Sequence, residues 1–92
     1  MNIPDTIKVG SITYKVIFTD SQESEDNGEC NQGNCTIKIN KDAPRAMQEK
    51  VFWHELAHAW NITWEEETVE SIAQMITTIT NDNHLYKEVS DE

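Results

Sequence analysis

Long apolar runs, internal repeats and low-complexity tracts are all missing from this 92-residue chain. No stretch approaches the roughly 20 consecutive apolar residues that span a bilayer, so no membrane association is expected. Basic residues are scarce: seven Lys and Arg stand against 17 Asp and Glu, giving a formal net charge of −10. A surface of that sign repels phosphate backbones, which argues against nucleic acid as a partner. Its ordinary use is solubility, and a preference for basic substrate segments is the functional alternative. Cysteine is nearly absent as well. Cys30 and Cys35 are too few for the disulfide framework of a small secreted domain. Their C-x4-C spacing, with no second pair, does not make a zinc knuckle. Two reduced thiols on facing strands of one hairpin are expected, with a hairpin disulfide as the alternative in an oxidising environment. The opening Met1-Asn2-Ile3-Pro4-Asp5 has neither the basic nor the apolar region of a secretory leader, so a cytoplasmic location is the expectation.

What is present suits one small globular domain over residues 1–92, with 37% of residues hydrophobic and 26% charged. Ile7-Lys8-Val9 is followed by a Gly10-Ser11 turn. Ile12, Tyr14, Val16 and Phe18 then alternate with Thr13, Lys15, Ile17 and Thr19, which predicts a hairpin. The polar segment from Asp20 to Gly28 reads as a solvated loop. Glu29-Cys30 and Cys35 to Asn40, joined by Asn31-Gln32-Gly33-Asn34, predict a second hairpin. The strands therefore lie within about 6–40.

From Asp42 the period changes. Asp42 is a candidate cap, and Ala43-Pro44 suits a first helical turn. Met47, Val51, Leu56 and Ala59 define an apolar face for a helix over about 44–60. After a break at Asn61-Ile62, Thr63 is expected to cap a second helix over about 64–81, with Glu66 completing a capping box. Val69, Ile72, Ala73, Ile76 and Ile79 mark its apolar face. The polar tail, 84–92, is expected to fray. Strands precede helices, so the class is α+β, built as a small antiparallel sheet of two hairpins followed by two helices. Trp53, Trp60 and Trp64 are expected to close the small core, one of them lining a substrate pocket in the sharper reading.

The chemistry is concentrated in His54-Glu55-Leu56-Ala57-His58. Residues four apart on a helix stack on one face, so both imidazoles point the same way at metal-binding distance. Glu55 projects beside them, where a carboxylate can take a proton from the water that occupies a catalytic zinc's open position. Chance placement yields this H-E-x-x-H pattern in about 1% of chains of this composition, and it falls within an independently predicted helix.

A catalytic zinc needs a third protein ligand, and Glu65, Glu66, Glu67 and Glu70 are the candidates. A break near Ile62 makes the helices an antiparallel hairpin, which puts Glu66 level with His58 and Glu70 level with His54. Glu66 lies at the edge of the core face and Glu67 points to solvent. Glu65 is near the face but sits earlier, where its reach is poorer. Glu66 is therefore assigned as the ligand, and Glu70 as the acceptor for the other nitrogen of His54, fixing its tautomer. An acidic first turn suited to the helix dipole accounts for the remainder.

Val51 to Ala59, followed by Glu66-Glu67-Thr68-Val69-Glu70-Ser71-Ile72-Ala73, resembles the gluzincin metallopeptidases, and among them the small phage- and prophage-encoded relatives of the ImmA/IrrE family. The strands Ile7 to Val16 and the stretch Gly28 to Ile39 are similar to the beginnings of those proteins. The resemblance implies a minimal zincin core, a glutamate ligand at Glu66 supported by Glu70, and host cytoplasm as the location. Two departures stand out. Only seven residues separate His58 from Glu66, a shorter connection than the family's. No residue is obviously placed to stabilise an oxyanion; His84, Tyr86 and Tyr14 are the candidates. Two functions follow. One is zinc-dependent hydrolysis of a peptide or protein substrate with Glu55 as general base, the strand Cys35 to Asn40 aligning the substrate as an edge. The other is a non-catalytic, zinc-stabilised module that binds a protein. In either case a partner protein completing the cleft is a possible requirement of so small a domain.

Overall fold

The computed structural model describes residues 2–20 and 27–85, and Tyr86 and most of the polar tail lie outside them. Four strands precede two helices: β1 (Thr6–Val9), β2 (Ile12–Thr19), β3 (Gly28–Asn31), β4 (Thr36–Asn40), α1 (Arg45–Trp60) and α2 (Glu66–Asp82). The α+β class is as expected. Both hairpins form, β1 with β2 and β3 with β4.

Their joint differs from the expectation. The strand order is β1-β2-β4-β3, and β2 pairs with β4 in parallel, so the sheet is mixed rather than antiparallel. Alternation reports which face a side chain takes, not which strand lies alongside. The parallel joint puts the most apolar strands at the centre, where Ile37 and Ile39 are fully buried beside Tyr14 and Val16. It also makes Cys35 to Asn40 interior. The edges available to an added strand are β1 and β3.

Helix α1 lies on β3 and β4 and reaches β1, while α2 packs on α1 and on no strand among the described residues. Because α1 is contacted from two sides, its buried residues wrap further round than one stripe. Val51, Phe52, Leu56 and Ala57 are buried, whereas Met47 stays exposed and Ala59 half-buried. Val69 and Ala73 carry α2 onto α1, and Ile79 is exposed. Full burial of Phe52, Ile37, Ile39 and Val69 stabilises the fold by about 1.5–3 kcal/mol each.

Neither expected cap forms. Pro44 is the N-cap of α1 and makes no side-chain cap. The entry is held instead by Gln48, whose Nε2 donates to the carbonyls of Asn40 and Lys41. Helix α2 begins two residues later than predicted, with Glu65 as N-cap. Thr63 donates its hydroxyl to Asn61 Oδ1 at 2.6 Å. Glu66 is turned toward the histidines, which a capping box would forbid. Of the tryptophans, Trp53 packs against the core, but Trp60 is 66% exposed. Trp53, Trp60 and Trp64 line an apolar slot of about 330 Å³ between β1 and α2, with Ile72 and Ile76 on its far wall.

Gly28 lets β3 pass close to α1. A methyl there would run into Val51 Cγ1 and come within 3.3 Å of Glu55 Oε2, whereas Gly10, at φ +66°, faces open space. Gly28→Ala is expected to cost about 2–3 kcal/mol of urea-unfolding free energy, the upper part of the usual range for overpacking. Gly10→Ala should cost about 1 kcal/mol through backbone strain alone. Equal losses at the two positions would show that β3 does not press on α1.

Candidate metal centre

The histidines sit four residues apart on α1, with ring centroids 4.9 Å apart. Glu66, in the first turn of α2, reaches both: His54 Nε2 lies 3.0 Å from Oε1 and His58 Nε2 lies 2.9 Å from Oε2. The three donor atoms lie within 4.8 Å of one another, and the group could hold a metal ion. Tetrahedral zinc with bonds near 2.05 Å separates its ligand atoms by about 3.3 Å, so small side-chain rotations suffice. The facing register drawn from the short connection is the register of the structure: Glu66 stands by His58, and Glu70 by His54 with Oε1 2.9 Å from Nδ1. Glu67 is exposed and lines a shallow cleft with His54, Glu66 and Glu70, but it is not part of the three-residue group.

The donor chemistry suits a cation. A neutral imidazole carries one N–H, and His54 has a carboxylate oxygen against each ring nitrogen. With the proton on Nδ1, donated to Glu70, the Nε2 lone pair faces Glu66 Oε1. Two lone pairs at that distance repel unless a positive charge lies between them. A proton on Nε2 or a bound cation removes that repulsion, and a single divalent ion could serve the His54 and His58 contacts together.

Glu55 lies next to this group and is 92% shielded, at 8% exposure. Two clefts meet at it. One, of about 360 Å³, is lined by Cys30, Gln32, His58 and Ile62; the other, of about 510 Å³, by Gly28, Met47, Lys50 and His54; Glu55 and Glu66 line both. Together they make a trough along the β3 edge, past the two histidines. Gln32 Nε2 donates to the His58 carbonyl at 3.2 Å, tying the β3–β4 turn to the end of α1.

Sequence does not single out several residues that line the trough, Cys30, Gln32 and Lys50 among them. Cys30 and Gln32 come from the hairpin, and nothing local in sequence announces which helix a hairpin will face. Lys50 did carry a signal, since it lies four residues before His54 on the same face of α1. Its Nζ meets Glu70 Oε2 at 2.6 Å. The Lys50 ammonium foremost, and His54 after it, hold the Glu70 carboxyl below the usual carboxylate range, against an opposing push from partial burial. The oxyanion candidates fare otherwise. Tyr14 is in the core. His84 follows the far end of α2, about 27 Å from Glu66 at 1.5 Å per residue.

Comparison with protein-family models, curated proteins and solved structures finds no match for the chain. The likeness to gluzincins rests on the residues themselves.

Zinc is expected to bind with one ion per chain. Glu66→Gln should weaken it at least about tenfold in a chelator-competition titration, since losses of 10–100-fold follow even from removing a ligand's hydrogen-bond partner. Glu67→Gln should stay within about twofold, and the reverse order would mean a different hairpin register in solution. Cys30 yields a second expectation. Burial first, then the Glu55 and Glu29 charges, push its thiol from about 9 up to about 11. Both cysteines are free thiols, Cys30 in β3 and Cys35 in the turn before β4. The folded chain keeps a proton that the unfolded chain gives up, so this contribution to stability is intact below pH 9 and lost as pH rises toward 11. At pH 8 only roughly one Cys30 in a thousand is thiolate, and iodoacetamide should alkylate it at least tenfold more slowly than in the urea-unfolded chain. Peptide mapping that finds equal rates would place Cys30 outside the trough.

Proposed function

We propose that the protein is a zinc-dependent peptidase of gluzincin type. The observation that carries the reading is the convergence of the His54 and His58 Nε2 atoms and the Glu66 carboxylate on one point, with the buried Glu55 carboxylate beside them in the trough. When bound there, zinc supplies a Lewis acid that acidifies water and polarises a carbonyl. Glu55 accepts a proton from the attacking water as the water oxygen bonds to the peptide carbonyl carbon. It then delivers that proton to the amine nitrogen as the C–N bond breaks. His54 and His58 would hold the ion from α1, and Glu66 would close the ligand set from α2. The β3 edge borders the trough, and an extended substrate adding to it would present its backbone to Glu55. The substrate is a peptide or protein segment rather than nucleic acid, in keeping with the net charge of −10. A cytoplasmic, phage-derived setting follows from the resemblance, and no described helix is long and apolar enough to cross a membrane.

A second reading has its own support. The ligands join α1 to α2, and α2 packs on no strand among the described residues. An ion there would staple α2 in place, as structural metals do in small domains. The same site thus fits a non-catalytic scaffold that binds a protein.

Glu55→Gln separates the two. It is expected to leave zinc content and melting temperature nearly unchanged and to abolish cleavage of a peptide library or host lysate, read by mass spectrometry. An amide cannot accept the water proton. Cleavage by wild type alone supports the peptidase, while equal cleavage by both forms would remove Glu55 as the base. Zinc uptake with no cleavage by either form would leave the scaffold as the better reading.

A further inference from the structure

We infer that Lys50 is a positioning residue for the candidate zinc site, acting through Glu70 on His54. The inference rests on the zinc reading proposed above and goes beyond its ligands and general base.

Lys50 and His54 are four residues apart on α1, so they share a face, and Glu70 stands opposite both on α2. The Glu70 carboxylate is divided between them, with Oε2 2.6 Å from Lys50 Nζ and Oε1 2.9 Å from His54 Nδ1. A glutamate carboxylate turns easily about its last torsion, where the preference is broad and two-fold. The Glu70 side chain is 45% exposed, so packing alone does not hold it. Lys50, at 28%, is the more enclosed partner. Pinned on one oxygen by Lys50, Glu70 must offer the other to Nδ1. The proton of His54 is thereby kept on Nδ1 and the Nε2 lone pair kept on the side of Glu66 and His58.

Charge gives Lys50 a second reason to be there. Glu55, Glu66 and Glu70 bring three negative charges to the site, and a divalent ion cancels two of them. Lys50 lines the same cleft as these three glutamates and supplies the remaining positive charge. Without it the loaded site would carry a net negative charge within a protein already at −10. A surface ion pair of this exposure contributes little to stability by itself. Its effect is expected in metal retention and ring orientation rather than in folding.

The test uses the full chain labelled with ¹⁵N-histidine, with and without zinc, at pH 8. Lys50→Met removes the charge and keeps the stem, Lys50→Arg restores the charge, and Lys8→Met removes a charge from the exposed side of β1. Lys50→Met is expected to raise the zinc dissociation constant about three- to tenfold, less than loss of a ligand's direct partner. Lys50→Arg and Lys8→Met should stay within about twofold of wild type. In long-range ¹H–¹⁵N spectra His54 should show the Nδ1–H tautomer in wild type and in Lys50→Arg, and mixed tautomers in Lys50→Met. Equal zinc affinities for Lys50→Met and Lys8→Met, or an unchanged tautomer in Lys50→Met, would overturn the inference. If wild type takes up no zinc, the zinc reading fails on its own. The tautomer comparison in the metal-free protein still decides whether Lys50 positions His54.

Discussion

The attachment of α2 to α1 is the contact on which the site depends. Helix α2 packs on no strand among the described residues, so it is held by what α1 offers it. In the middle of the interface this is apolar, with Val69 and Ala73 fully buried. At the two ends it is polar. Asn81 donates to Glu49 at one end, and Glu66 and Glu70 meet His54 and His58 at the other. The apolar middle sets the distance between the helices. The polar ends set their register, because a slip of one residue would carry Glu66 round the helix and away from both rings.

That interface explains why much of the site was legible in sequence. The i, i+4 spacing of His54 and His58 fixes their common face wherever a helix forms. The brevity of the Trp60 to Glu66 connection forces an antiparallel hairpin, and the hairpin then levels Glu66 with His58 and Glu70 with His54. Each step needs only helical geometry. The unreadable parts depend on tertiary choices. Which hairpin strands become neighbours is decided by burial of Ile37 and Ile39 at the sheet centre, not by the alternation within either strand. The capping signal at Thr63 was genuine as a local preference, but the pull of the histidines on Glu66 outweighs a cap contribution of about 1 kcal/mol. Trp60 reads as core by residue type, yet α1 is long enough to carry it past the sheet into solvent.

The acidity of the chain also acquires a local meaning. Glu65, Glu66, Glu67 and Glu70 crowd the first turns of α2, which suits the helix dipole. Two of them nevertheless reach across to the imidazoles of α1. Like charges at that density raise the free energy of an ion-free site and increase its affinity for a cation, so the same residues that favour the helix start also favour metal. Lys50 limits that repulsion on the His54 side, where Glu70 lies closest.

The peptidase and the scaffold readings share the ion, and the weight between them falls on groups that a structural site has no use for. Glu55 is almost fully buried beside the candidate ligands yet is not one of them, the position the proposed general base would need. The neighbouring strand comes close here, because a Cβ at Gly28 would collide with Val51 Cγ1 and press only lightly on Glu55 Oε2. That strand is also an edge of the sheet among the described residues, and it borders the trough in which Glu55 lies. A site needed only to staple two helices would be satisfied by His54, His58 and Glu66. It would not also require a carboxylate at Glu55, whereas the glycine is already accounted for by the packing of Val51. The acid from α1 and the edge strand β3 thus meet beside the candidate ligands, an arrangement that the proposed peptidase would use and the scaffold would not need.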